Sequence, residues 1–116
     1  MLKPFFDHDF DHDILRGLKA RLPEMDFTTA YLAGLSRSDD RHLLLWAANA
    51  ERVLISHDES TMPKHFGYLL ERGENLGGTF VVPRRLPIRQ MIEELSVIIG
   101  CTEQAEWNNI LKILPL

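Results

Sequence analysis

Cysteine, basic charge and long apolar runs are all scarce in this chain of 116 residues. Cys101 is the only cysteine, which excludes an intramolecular disulfide and a metal site built on several thiolates. The formal net charge is −4, and a surface that is acidic as a whole does not attract nucleic acid. No apolar run approaches the roughly 20 residues of a membrane span, and the N-terminus lacks the form of a signal peptide. We therefore expect a cytoplasmic protein with no membrane partner, and residues 1–116 suit a single domain.

Phosphate-binding loops and zinc motifs are missing as well. Gly77 and Gly78 precede a predicted strand, whereas a loop that cradles phosphate follows one. The five histidines include no pair with the spacing of a zinc-binding helix, so a zinc site is not expected. His57 is expected to face solvent.

Two kinds of apolar segment alternate along the chain. Short β-branched or aromatic runs predict strands over 2–6, 27–32, 53–56 and 79–82. Apolar residues at helical spacing predict helices that begin near Asp11 or Asp13, Ser38 or Asp39, Thr61, and Pro87, and a last amphipathic helix over 102–114. This order predicts an α/β fold of three layers, α/β/α, with a mainly parallel sheet of about four strands.

Acidic residues follow the ends of the predicted strands. Asp7 ends the first strand, with Asp9 close behind, while Asp40 opens the helix after the second strand and Asp58 follows the third. The carboxyl ends of parallel strands share one edge, where ligands bind, so we expect these side chains to meet in one crevice. Clustered carboxylates repel one another, and hard oxygen ligands suit Mg²⁺ or Mn²⁺. Each acid alone is explained by a helix cap or a polar turn, and only the shared edge favours a metal site.

Arg84 and Arg85 follow the fourth predicted strand at the same edge. An arginine fork matches the geometry of a phosphate group, so this pair is a candidate clamp for an RNA backbone. The alternative of equal weight is a solvated turn, salt-bridged to the crevice acids.

Several stretches together resemble a compact group of PIN-like domains, known as DUF5615 and related to VapC-type toxin nucleases and the Mut7-C domain. The likeness covers most of residues 5–100. It is carried by Phe5-Phe6-Asp7-His8-Asp9-Phe10, by Ser38-Asp39-Asp40 before Leu43-Leu44-Leu45-Trp46-Ala47-Ala48, by Val53-Leu54-Ile55-Ser56-His57-Asp58, and by Gly78-Thr79-Phe80-Val81-Val82-Pro83.

The resemblance implies a three-layer PIN-type fold and metal-dependent cleavage of RNA. Asp7, Asp40 and Asp58 would be the catalytic ligands of Mg²⁺ or Mn²⁺, with Asp9 as a further metal ligand. The protein would be a ribonuclease of the kind that includes the toxins of toxin–antitoxin pairs, and an antitoxin protein or a second copy of itself would be its partner.

Departures from that pattern keep other functions open. The usual Glu-Asn pair is His8-Asp9 here. Ser60 stands where the group often has a second acid after Asp58, and the helical acid that full-length PIN nucleases carry between the first and second clusters has no counterpart. These changes favour an alternative, a catalytically weakened PIN-like module that binds protein or nucleic acid. A third hypothesis is a receiver-like phosphoacceptor domain. It ranks last because it needs a fifth strand ending in Lys-Pro, which the sequence does not predict.

Overall fold

Strands and helices alternate along residues 1–116 in the computed structural model of this protein. In chain order the elements are β1 (Pro4–Phe6), α1 (His12–Arg21), β2 (Thr28–Thr29), α2 (Asp40–Asn49), β3 (Val53–Ser56), α3 (Met62–Glu71), β4 (Thr79–Val81), α4 (Ile88–Cys101) and β5 (Leu111–Ile113). All strand pairs are parallel, in the order β2-β1-β3-β4-β5. The predicted α/β fold with a parallel sheet is confirmed, with five strands rather than about four.

The alternation of side chains along the central strands divides the core into two clusters. Phe6 and Ile55 pack in one cluster with apolar residues of α1 and α4. Phe5 and Leu54, their neighbours in sequence, pack in the other with residues of α2 and α3. Successive side chains of a strand point to opposite faces, so each pair of helices covers one face of the sheet. This arrangement gives the three layers.

Aspartates begin the first two helices. The Asp11 carboxylate accepts hydrogen bonds from the N–H groups of Asp13 and Ile14 at 2.8 and 3.1 Å, and Asp39 caps α2 in the same way. Such caps contribute about 1 kcal/mol each. Thr61 occupies the N-cap position of α3, where the helix was predicted to begin. Its side chain makes no capping bond, because its hydroxyl donates to Asp58 instead.

The second strand is shorter than the predicted range of 27–32. Only Thr28 and Thr29 pair with β1. The residues that follow fold into a turn, in which the Ala33 N–H donates to the Thr29 carbonyl at 2.9 Å and the Leu35 N–H donates to the Ala30 carbonyl at 2.7 Å. These local bonds compete successfully with continued strand pairing.

The predicted helix over 102–114 is wrong, because this segment completes the sheet. After a single 3-10 turn at Gln104–Glu106, β5 pairs with β4, and the Thr79 N–H donates to the Ile110 carbonyl at 3.0 Å. Thr79 is buried, so without β5 its N–H would lack a partner. Trp107 packs edge-on against Phe80, with ring centroids 5.0 Å apart. None of the helices is both long and apolar enough to cross a membrane.

Candidate functional site

The three acids singled out in the sequence lie near one another at the carboxyl edge of the sheet. Asp7 follows β1, Asp58 follows β3, and Asp40 is the first residue of α2. Burial raises the pKa of Asp40, and the negative charges of Asp7 and Asp58 raise it further. Charges act on one another over roughly 10 Å or less, so the three acids lie within electrostatic range at this edge of the sheet.

Asp7 is held rigidly at the end of β1. Its side chain is only 11% exposed. One carboxylate oxygen accepts from the Ser56 hydroxyl at 2.7 Å, and the other accepts from the His8 N–H at 2.7 Å, with the His8 ring Nδ1 3.2 Å away. These contacts fix the orientation of the carboxylate.

Ser56 links two of the acids, a role that the sequence analysis missed. This last residue of β3 is fully buried. Its hydroxyl donates to Asp7 and accepts from the Asp58 N–H at 3.1 Å. The available signal was a hydroxyl residue ending an otherwise apolar strand, Val53–Ser56. Such a side chain needs a polar partner when it is buried.

The Asp58 carboxylate turns toward its own loop. It accepts bonds from the N–H groups of Ser60 and Thr61 at 3.0 and 2.9 Å, and from both of their hydroxyls. Burial by itself would raise the pKa of Asp58, but these bonds outweigh it and hold the pKa below its ordinary value. Asp58 therefore acts as a turn residue in this arrangement, with its oxygens already occupied.

Asp40 has the least compensated charge of the three. The basic side chain that approaches it is His65, whose Nε2 lies 3.8 Å from a carboxylate oxygen of Asp40. The other ring nitrogen of His65 accepts from the Arg41 Nε–H at 3.2 Å, so the proton of a neutral ring sits on the nitrogen that faces Asp40. No hydrogen bond to Asp40 opposes the effects of burial and repulsion on its pKa.

Asp9 lies farther out. Its backbone has a positive φ of 56°, and its side chain is exposed beside the crevice that Asp7 also lines. The Asp9 carbonyl accepts from the Arg84 guanidinium at 2.9 Å. The structure therefore places the predicted fourth ligand at the rim, next to a cation.

The two predicted RNA-binding arginines have different partners. Arg85 donates to both carboxylate oxygens of Glu59, at 2.8 and 2.9 Å, and so is neutralised by a surface ion pair. Arg84 is exposed and bonds only the Asp9 carbonyl, which leaves its charge without a counter-ion. Arg84 is thus the arginine better suited to meet a phosphate.

His57 does not face solvent, contrary to expectation. Its ring stacks on Phe10 with centroids 4.5 Å apart. Nε2 accepts from the Asp11 N–H at 3.1 Å, and Nδ1 donates to the Val82 carbonyl at 2.7 Å. Burial lowers the pKa of His57, aided by the positive charge of Arg84 and opposed by the bond to Val82. The neutral ring thus ties α1 to the ends of β3 and β4.

The acidic side chains at this edge suit a cation site completed by water and phosphate, but not one built from three or more protein side chains. No group of three or more His, Cys, Asp or Glu side chains is arranged to hold a metal ion. Mg²⁺, however, is often held by one or two carboxylates and completed by water and substrate phosphate. Asp7, whose oxygens accept one hydrogen bond each, and Asp40 keep lone pairs that this second kind of site needs. Asp58 does not fit it while its oxygens are engaged in the turn.

The fifth strand removes one reason for ranking the receiver-like hypothesis last. The strand order β2-β1-β3-β4-β5 is also the order of that class of doubly wound sheet. However, Leu114, not lysine, precedes the proline after β5, and it is buried. The oxygens of Asp58, which would accept the phosphoryl group, are also engaged by Ser60 and Thr61.

Comparison with known proteins gives no match among protein-family models, curated proteins or solved structures. The resemblance to PIN-like domains therefore stays a prediction that rests on the residues themselves.

Proposed function

We propose that this protein is a PIN-like, cytoplasmic ribonuclease that depends on Mg²⁺ or Mn²⁺. The observation that carries the proposal is the placement of Asp7, Asp40 and Asp58 at one edge of the sheet, where burial raises the pKa of Asp40 and the charges of the other two acids raise it further. Negative charges placed near one another favour binding of a cation, and His8 and His65 are the basic side chains that approach them. The location supports the proposal too, since ligands of parallel α/β sheets bind at the carboxyl edge.

Asp7 and Asp40 are the residues that would hold the cation. Ser56 and His8 orient Asp7, and His65 lies beside Asp40. A bound divalent ion would supply a water of lowered pKa and would neutralise charge on the phosphate. Without it, the acids would repel the phosphates of RNA, so the proposed activity depends on the metal.

Calorimetric titration of Mn²⁺ and Mg²⁺ tests the cation site. We expect the wild type to bind and the Asp7→Asn and Asp40→Asn variants to lose binding. Asp39→Asn is the matched control: it changes the neighbouring acid, whose role is to cap α2, and asparagine caps equally well. Absence of binding by the wild type with substrate RNA present, or an equal loss in the control, would refute the site.

Cleavage of a single-stranded RNA tests the activity. We expect wild-type cleavage that needs the metal, stops with a chelator and is lost in Asp40→Asn. Cleavage that persists in Asp40→Asn would assign the activity to other residues or to a contaminant.

A binding module without catalysis is the second candidate, and the four bonds to the Asp58 carboxylate favour it. A nuclease site with one acid withdrawn holds its metal weakly. The same two experiments separate the candidates, because this module would bind RNA without cutting it at any metal concentration.

A further inference from the structure

The crevice beside Asp7 extends to an exposed tyrosine. The cavity measures about 630 Å³, and its lining includes Asp7, Asp9 and Tyr31. Tyr31 is 79% exposed, in the turn that follows β2. An aromatic ring left in solvent at the edge of a largely apolar cavity offers a flat face for stacking.

Backbone hydrogen bonds fix the position of Tyr31 relative to Asp7. The Ala30 N–H donates to the last carbonyl of β1 at 3.0 Å, and the Leu35 N–H closes the turn onto the Ala30 carbonyl at 2.7 Å. The His8 ring reaches across from the residue after Asp7 to the Leu35 carbonyl at 3.0 Å. The tyrosine therefore stands on a turn attached at both ends to the strand that carries Asp7.

The charges around the cavity discriminate between the parts of a nucleotide. Asp7 and Asp9 repel a phosphate but not an uncharged base, and the cavity lies within the size range of small-ligand sites. Arg84 bonds the Asp9 carbonyl at 2.9 Å, so an uncompensated cation stands at the rim. A base inside the cavity with its phosphate toward Arg84 satisfies both sets of charges.

We propose that Tyr31 stacks an unpaired base of a single-stranded RNA, whose backbone passes Arg84 on its way to the acids. This inference rests on the proposed function and names its substrate as single-stranded. A base in a duplex is already stacked on its neighbours and cannot enter the cavity.

The test measures binding of a fluorescent RNA hexamer by anisotropy with the acids unchanged and with Ca²⁺ in place of Mg²⁺, a cation that carboxylates also bind and that is expected not to support cleavage. Tyr31→Ala is expected to raise Kd about tenfold or more, in line with the loss of one base–aromatic stack. Tyr31→Phe, which keeps the ring, is expected to stay within about twofold. Leu32→Ala is the matched control, since Leu32 is 64% exposed in the same turn but does not line the cavity. A duplex of the same sequence should bind more weakly, and its Kd should not change in Tyr31→Ala.

Each outcome bears on stacking separately from cleavage. An unchanged Kd in Tyr31→Ala, an equal loss in Leu32→Ala, or no hexamer binding at all would overturn the stacking. Wild-type cleavage together with an insensitive Tyr31→Ala would leave the ribonuclease standing and remove only the stack. Tyr31-dependent binding without any cleavage would keep the stack and refute the ribonuclease.

Discussion

Replacing Ser56 by alanine should destabilise the fold and loosen Asp7 at the same time. The buried hydroxyl donates to the Asp7 carboxylate at 2.7 Å and accepts from the Asp58 N–H at 3.1 Å. A hydrogen bond to a charged group contributes about 1.5–3 kcal/mol, and an N–H left without a partner costs about 1–3 kcal/mol when buried. Because the Asp58 N–H is only partly buried, we expect a total loss of about 2–4 kcal/mol.

Thermal unfolding followed by circular dichroism measures that loss. For a chain of this length, about 2–4 kcal/mol corresponds to a fall in Tm of roughly 8–16 °C. Ser60→Ala is the matched control: the Ser60 hydroxyl donates to Asp58 at 3.1 Å from an exposed position, so its removal should cost less than about 1 kcal/mol. Equal losses in the two variants would refute the reasoning from burial.

A double-mutant cycle with Asp7→Asn isolates the charge on the acceptor. Asparagine keeps an oxygen that can accept from Ser56 but removes the negative charge. We expect the two substitutions to be non-additive by about 1 kcal/mol. Strict additivity would mean that the Ser56 hydroxyl does not interact with the Asp7 charge.

Three further predictions concern charge and packing. The pKa of Asp40 is raised in the folded protein, so protonation of this side chain stabilises the fold. That contribution is fully present below pH 3.8, the ordinary pKa of the group, and is lost as pH rises through the folded-state pKa. Asp40→Asn should therefore raise Tm by a few degrees at pH 7 and by nothing at about pH 3. The pKa of His57 is lowered, so the dependence of stability on pH is reversed. The contribution of the neutral ring to stability is present above pH 6.5 and is lost as pH falls through the folded-state pKa. His57→Phe should abolish that pH dependence and cost about 1–3 kcal/mol at pH 7 in urea unfolding. Gly78→Ala places a Cβ 2.5 Å from that of Trp107 and should cost about 1–3 kcal/mol, whereas Gly67→Ala meets open space within α3 and should add about 0.5–1 kcal/mol.

Three results would contradict these predictions. A lower Tm for Asp40→Asn at pH 7 would mean that this acid stabilises the fold through a contact other than those described. A wild-type acid transition unchanged by His57→Phe would assign the pH dependence to other groups. Equal stabilities of the two glycine variants would show that Trp107 can move away without cost.

The central strands were predictable because they are short, mostly apolar runs that are buried in the sheet. Val53–Ser56 matches its predicted range, and Pro4–Phe6 and Thr79–Val81 fall within theirs. The meeting of Asp7, Asp40 and Asp58 followed from the parallel order of these strands, since that order fixes which ends share an edge. Spacing along the chain was sufficient for this part of the site.

The tail was not predictable because its apolar spacing suits a helix as well as a strand. Ile110, Leu111 and Leu114 are compatible with one helical face, and only the unpaired side of β4 decides in favour of β5. The hydrogen bonds of Asp58 and His57 could not be predicted from the sequence either. Their partners in Thr61, Asp11 and Val82 are defined by side-chain orientation, which no pattern of residue types specifies.

The register of β1 against β3 has a consequence for how this protein can evolve. Phe6 lies opposite Ile55, so the next residues along, Asp7 and Ser56, are neighbours at the sheet edge. A slip of one residue would exchange the faces of Phe5 and Phe6 and disrupt both halves of the core. Selection for folding alone therefore keeps position 7 where it is, whatever residue occupies it. A lineage that lost its need for the acid could replace it, at the cost of the Ser56 hydrogen bond, and regain it later by a single substitution. The place of the site is inherited with the core, and only its chemistry with the function.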